Sequence, residues 1–278
     1  MKMRQALGLS LMIGLLLVPA VAGADEHEMA PQPLTWISFV QSQAGKSMPL
    51  AQNIAKSGAK IYDGLMADGH ILTWGVGMPV NHWPDDDWNV VEWVTFRDWA
   101  AVDAFMQAFM GMQMAKSPED MAAEQEEWLS LVVPGSHHDQ IQRHMVVMPS
   151  EGSPPAYFNL TYVPVKPGQG EKLKKIWVDN IQPIYAELQA AGTIGAFGLA
   201  ADEVHDGSGQ TFLSWTALPN LAARDAVDAA MEAADKERGE EAQKAMMMDL
   251  MSAADFSAHS DRILLVTHSG GGGGGEGE

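Results

Sequence analysis

The 278-residue chain contains no cysteine. That excludes disulfides, thiolate metal sites, a cysteine nucleophile and a lipid anchor on a lipobox cysteine. Basic residues are scarce: 17 Lys and Arg stand against 36 Asp and Glu, a net charge of −19. A field of that sign repels phosphate backbones and argues against nucleic acid as a partner. Beyond residue 22 no apolar run is long enough to span a bilayer, which takes about 20 consecutive apolar residues. Motifs are equally thin. Gly-x-Ser-x-Gly, the P-loop, the dinucleotide fingerprint and His-Glu-x-x-His do not occur, so hydrolase, NTPase and Rossmann readings have no positive support.

The N-terminus is where apolar character is concentrated. Lys2 and Arg4 precede an apolar run over residues 6–22, which ends at Ala22-Gly23-Ala24. A basic start, a short apolar core and a small-x-small exit mark a secretory signal peptide cleaved after Ala24. Cleavage would leave 15 basic residues against 36 acidic ones, or −21, and a flexible mature N-terminus over residues 25–33. The expected location is periplasmic or extracellular. Residues 270–278 are six glycines followed by Glu-Gly-Glu. They bury nothing and are expected to be disordered.

The chain repeats itself. Ile37-Ser38-Phe39-Val40 matches Leu160-Thr161-Tyr162-Val163 at an offset of 123 residues. At that offset Gly45 meets Gly168, Ile61-Tyr62 meets Ile184-Tyr185, Gly69 meets Gly192, Gly75 meets Gly198 and His82 meets His205. The offset slips to 122 at Trp93 and Trp215, and to 119 where Arg143 meets Arg262. Ordered matches with small slips in loops are the signature of a duplicated domain. The units span residues 34–150 and 156–269, joined by a turn-rich linker over residues 151–155.

Within each unit the periodicity alternates. Residues 157–163 alternate as a strand, and Leu173, Trp177, Ile181, Ile184, Tyr185 and Leu188 then keep one helical face apolar. The first copy shows Leu50, Ile54, Ile61, Tyr62 and Leu65. Gly69 and Gly192 stand where each helix should stop in a left-handed cap. Strands follow over residues 71–76 and 194–199, then over residues 90–96 and 211–218. Helices begin near Trp99 and Asn220. Ser117-Pro118-Glu119-Asp120 opens a further helix with a capping serine and a first-turn proline. Last strands are expected over residues 145–148 and 263–267. The fold class is therefore α+β: two tandem ferredoxin-like βαββαβ units, each with an extra helix. Their uncovered sheet faces must pack on something, and two units in one chain can close an intramolecular α/β barrel, with a monomer as the default state.

With these features the chain resembles the dimeric α/β-barrel superfamily, which includes antibiotic-biosynthesis monooxygenase-like, EthD-like and NIPSNAP-like proteins. The carriers are the opening strands, the helices ending Ala67-Asp68-Gly69 and Ala190-Ala191-Gly192, the strand after each, and Trp93 or Trp215 in the third strand. The resemblance covers nearly all of residues 34–269. It implies a group that hosts cofactor-free oxygenases and haem-binding or haem-degrading proteins, among others. No family motif matches residue by residue, so no catalytic residue carries over.

Strand parity suggests which residues line the lumen. Ile37, Phe39, Trp93 and Trp215 are expected to face the helices. Glu92, His70 and Trp74 are expected to face the lumen, with Phe197, Phe212 and Ser214 from the second unit. Gly75 and Gly198 would suit close helix packing. A desolvated Glu92 would have a raised pKa and could act as a general base, paired with His70. His82 and His205, matched across the repeat, and His137 with His138 are candidate metal ligands; surface-loop and turn roles stand beside that reading. Asp85, Asp86 and Asp87 read as a solvated acidic loop rather than a calcium site. Met106, Met110, Met112 and Met114, like Met246, Met247, Met248 and Met251, fall on helices. Thioethers bind Cu(I), but core filling is the expected role.

The leading functional expectation is a small flat apolar or aromatic ligand, haem among the options, held in the lumen by Trp74, Phe197 and Phe212. A monooxygenase-like enzyme is the nearest catalytic class. A non-catalytic exported interaction domain and periplasmic metal handling are the alternatives.

Overall fold

The structure, a computed structural model, describes residues 32–81, 88–149, 154–204 and 209–270. The proposed signal peptide, His82, His205, the Asp85–Asp87 loop, most of the linker and the tail past Gly270 lie outside the described residues.

The first half runs β1 (Leu34–Val40), α1 (Ser47–Ala67), β2 (Ile71–Pro79), β3 (Val90–Phe96), α2 (Trp99–Met114), α3 (Pro118–Leu131) and β4 (His138–Met148). The second runs β5 (Tyr157–Val165), α4 (Gly170–Asn180), α5 (Gln182–Ala190), β6 (Phe197–Asp202), β7 (Gln210–Leu218), α6 (Ala222–Arg238), α7 (Glu240–Ala253) and β8 (Ser260–Gly270). The helix stops expected at the two glycines are present. Gly69 has φ +72° and donates to Met66 O at 2.9 Å, while His70 N–H reaches back to Leu65 O. Gly192 has φ +70° and repeats the pattern on Gln189 and Leu188. Ser117 caps α3 by accepting from the Asp120 N–H at 3.1 Å. One expected helix is broken in two at Ile181. Pro183 follows there, with no N–H to continue the ladder and a ring that crowds the preceding turn.

All eight strands form one closed antiparallel barrel in the order β1-β3-β2-β8-β5-β7-β6-β4. Each half supplies the ferredoxin-like order, β4-β1-β3-β2 and β8-β5-β7-β6. The halves join edge to edge, β2 on β8 and β4 on β6. Among the described residues closure leaves no exposed strand edge, and the helices pack on the outside of each half. An eight-stranded barrel has an interior about wide enough for side chains to fill. Ile37, Phe39, Val91, Leu160, Leu213 and Leu264 fill it, with Trp93, Phe158, Tyr162 and Trp215 packed against them.

The expected strand faces are therefore inverted. Trp93 and Trp215 lie inside the barrel rather than under the helices, and Phe158 meets both indoles edge-on at 5.3 and 6.1 Å. Trp74 packs in the helix-facing core of the first half with Leu50, Ile54 and Tyr62. Phe197 and Phe212 pack in that of the second with Leu173, Trp177 and Tyr185. The glycines explain the inversion. A Cβ on Gly75 would stand 2.2 Å from the Trp93 ring, and one on Gly198 would stand 2.7 Å from Trp215 and 2.6 Å from the Val146 carbonyl oxygen. The matched glycines make room for matched indoles inside the barrel, not for helices outside it.

The last strands are also longer than expected. β4 begins at His138 and β8 at Ser260, so His138 and Asp139 belong to a strand instead of a surface loop. Pairing places Ile37 opposite Gln140 and Leu160 opposite Arg262. Because Ile37 matches Leu160, Gln140 is the repeat partner of Arg262, an offset of 122 rather than 119. Matched hydrogen bonds agree: Ser38 Oγ donates to Asp139 and Thr161 Oγ1 donates to Asp261, both at 2.6 Å.

Candidate functional site

One mouth of the barrel holds a cavity of about 260 Å³. Its walls are contributed by β1, β4, β5 and β8, so both halves build it. Phe39, Trp88, His138 and Gln140 come from the first half, and Tyr162 and Arg262 from the second. Phe39 meets Trp88 edge-on at 5.0 Å and stacks on the His138 ring at 4.9 Å with 14° between planes. Repeat partners differ across the mouth: phenylalanine against tyrosine, glutamine against arginine, His138 against Ser260. Tyr162 and Arg262 therefore stand on one side of the mouth, across from Phe39, His138 and Gln140.

Tyr162 carries the chemical signal of this cavity. Its hydroxyl is buried and has no hydrogen-bond partner within the described residues. Burial pushes the phenol well above its usual range, so it stays protonated as a donor. A buried donor left unpaired costs free energy on the order of 1–3 kcal/mol, which an acceptor on a bound molecule, or an ordered water, would recover.

Haem does not fit this space. The cavity falls below the roughly 300–1,000 Å³ usual for drug-sized ligands, and the histidine lining it, His138, is stacked flat on Phe39.

The second chemically distinctive place is on the opposite, helix-covered face of the same sheet. Tyr62 Oη on α1 donates to Glu92 Oε1 on β3 at 2.6 Å. Glu92, Ser38 and Asp139 stand abreast on three adjacent strands. Burial beneath α1 pushes the Glu92 carboxyl up to about 7; the Tyr62 hydrogen bond opposes this and the Asp139 charge adds to it. The expectation of a desolvated acid is met in kind, but its location is the helix–sheet layer instead of the lumen. In the second half the matched Ser214 accepts from Trp177 Nε1 on α4 at 3.0 Å, so it too faces helices.

His70 is not brought to Glu92. It ends the α1–β2 connection and its carbonyl accepts from Arg97 N–H at 3.1 Å. Ile71 pairs with Phe96, whereas Glu92 pairs with Val76 further along β2. Four residues of strand separate the two levels, roughly 13 Å. Among the described residues no group of three or more His, Cys, Asp or Glu could hold a metal ion. His137 pairs with Asp139 at 3.2 Å on the surface.

The residues that sequence reasoning missed are Tyr162, Arg262 and Trp88. A usable signal was present in the paired Ser38/Asp139 and Thr161/Asp261, which set the register of β4 and β8 and bring Gln140 and Arg262 to the mouth. Inside the barrel, His144 Nε2 lies 2.6 Å from Thr35 Oγ1, and burial pulls the imidazole down to about 4. It is neutral and structural at ordinary pH.

No protein-family model and no curated protein sequence matches the chain. Solved structures do. A Lactobacillus acidophilus protein provisionally named a monooxygenase aligns with TM-score 0.55 and 14% identity, over 87% of this chain and 97% of that one. An anthrone oxidase-like protein aligns with TM-score 0.53 and 14% identity, over 89% and 95%. A Fusobacterium nucleatum protein, also provisionally named a monooxygenase, gives 0.55 and 11%, over 88% and 97%. At such identities the likeness concerns architecture. Among the described residues no helix is long and apolar enough to cross a membrane. The chain thus has the fold of the dimeric α/β-barrel superfamily, with both ferredoxin-like halves carried in one polypeptide.

Proposed function

We propose that the protein binds a small planar aromatic molecule bearing a carbonyl oxygen in the barrel mouth. The observation that carries this reading is the buried Tyr162 hydroxyl, without a hydrogen-bond partner among the described residues, on a side chain that lines the cavity together with Phe39, Trp88, Gln140 and Arg262. Aromatic walls supply stacking area, and Tyr162 and Arg262 supply hydrogen-bond donors for an acceptor at one end. The overall charge of −19 favours a neutral carbonyl over a carboxylate. The name of one structural neighbour, anthrone oxidase-like, is in keeping with an aromatic ketone as ligand.

The test is calorimetric titration with 1,4-naphthoquinone and, as the oxygen-free control, naphthalene. The quinone is expected to bind at least tenfold tighter than naphthalene. Tyr162→Phe should weaken quinone binding about 3- to 10-fold, one hydrogen bond's worth, while leaving the melting temperature of the free protein unchanged or slightly higher. Arg262→Met, which keeps an unbranched stem, should also weaken it. Equal binding of the two probes, or a Tyr162→Phe protein that binds as well as the parent, would remove the donor pair from the account.

A second reading rests on Glu92. A carboxyl that titrates near neutrality and is held 2.6 Å from a tyrosine hydroxyl is suited to accept and return a proton. The sheet separates it from the mouth, so its substrate would enter between α1 and the strands.

We also place the working protein outside the cytoplasm, on the signal-peptide pattern of residues 1–24. N-terminal sequencing of protein purified from an expressing bacterium should begin at Asp25. Recovery with Met1 intact from the cytosolic fraction would contradict this.

A further inference from the structure

Methionine is distributed in this protein in a way that core filling does not explain. Among the described residues no methionine belongs to the buried core, whereas eight of the fifteen exposed large apolar side chains are methionine. Methionine used as an adaptable filler is seen at Met66, Met78, Met145, Met148 and Met231, which pack against the two cores. The core-filling expectation is corrected for Met106, Met110 and Met114 and for Met247, Met248 and Met251, while Met112 and Met246 are half-buried. Exposing apolar surface also forgoes burial worth about 25 cal/mol per Å². The concentration of one apolar residue type at the surface points to the sulfur.

The clearest arrangement is on α2. Met106, Met110 and Met114 are 39%, 51% and 81% exposed. Steps of four residues return each side chain to about the same helix face, about 6 Å further along the axis. Each thioether ends a flexible unbranched stem, so two sulfurs one turn apart can close on a single ion between them. The only charged residue in α2 is Asp103. Gly111 has nothing within 4 Å of where its Cβ would stand and leaves the flank of the ladder open. Neutral thioethers are soft ligands that suit Cu(I) and disfavour hard cations such as magnesium and calcium. With no cysteine in the chain, no thiolate competes for such an ion.

We propose that the methionine ladder of α2 is a Cu(I)-binding site in which Met110 is the shared donor, paired with Met106 on one side or Met114 on the other. The same spacing recurs at Met247 and Met251 of α7, 45% and 60% exposed, and forms a second two-thioether pair. The site involves no electron transfer, only coordination of a cation already in the reduced state. It is independent of the barrel mouth.

The test is an anaerobic titration of the mature chain with Cu(I) against a chromophoric Cu(I) chelator, repeated with Ag(I), which needs no protection from air. Met110→Leu preserves size and apolar character and removes only the sulfur. It is expected to lower the stoichiometry by one equivalent, whereas Met106→Leu and Met114→Leu each leave one pair intact and retain that equivalent. Melting temperatures of all three should match the parent. The bound ion should show a sulfur-only first shell by X-ray absorption. A parent protein that binds no Cu(I), or a Met110→Leu variant that binds as much as the parent, overturns the proposal. In the latter case the copper bound by the parent is held elsewhere than on the α2 ladder.

Discussion

Gly198→Ala is expected to destabilise the protein by on the order of 1–3 kcal/mol, the usual scale for forcing a methyl group into a filled core. For a chain of this size that corresponds to roughly 2–12 °C in melting temperature. The added Cβ would stand 2.6 Å from the Val146 carbonyl oxygen and 2.7 Å from the Trp215 ring. The carbonyl belongs to β4, across the β4–β6 seam that joins the two halves. Neither neighbour is the free end of a flexible chain, so relief requires the indole or the seam to move. Gly75, the matched position, abuts Trp93 and should behave alike. Gly64 provides the contrast. It lies in α1 with nothing within 4 Å of its Cβ position, and Gly64→Ala should stabilise by about 0.5–1 kcal/mol through helix propensity. If Gly198→Ala melted with the parent, the placement of Trp215 inside the barrel would be wrong.

Glu92→Gln is expected to stabilise the protein, and only at higher pH. The folded-state carboxyl titrates near 7, against about 4.5 for the free group. Between those values the unfolded chain has released this proton and the folded chain still holds it. Stability from this group is therefore full below about pH 4.5, falls as pH rises through 7, and above that is a constant penalty. A shift of this size corresponds to on the order of 2 kcal/mol after allowing for partial solvent access. Glutamine keeps an oxygen to accept from Tyr62 but carries no charge. Its melting temperature should exceed the parent's by roughly 4–8 °C at pH 8 and match it near pH 4.5. A pH-independent difference would mean that Glu92 is not desolvated under α1.

How much of this was readable beforehand differs by feature, for physical reasons. The duplication and the helix stops were legible because Gly69 and Gly192 occupy left-handed positions that other residues adopt only with strain. Strand faces were not legible in the same way. In a closed barrel sheathed by helices both faces of each strand are apolar, so alternation marks a strand without saying which face is inside. Val90, Val94 and Trp74 went to the helices, and Val91, Trp93 and Phe158 to the lumen. That one ambiguity misplaced Trp74, Phe197, Phe212 and Ser214 together. The mouth residues were hidden for another reason: His138, Gln140 and Arg262 are polar residues on strands, and polar runs beside glycine and serine read as loops. Glu92 was singled out correctly as a desolvated acid because it is a lone carboxylate within an apolar strand on either face.

What occupies the barrel mouth is tested most directly by a crystal structure of the protein grown with 1,4-naphthoquinone. The expected result is density between Phe39, Trp88 and Tyr162, with a quinone oxygen within hydrogen-bond distance of the Tyr162 hydroxyl and the Arg262 side chain. An empty mouth with the quinone bound elsewhere would contradict it.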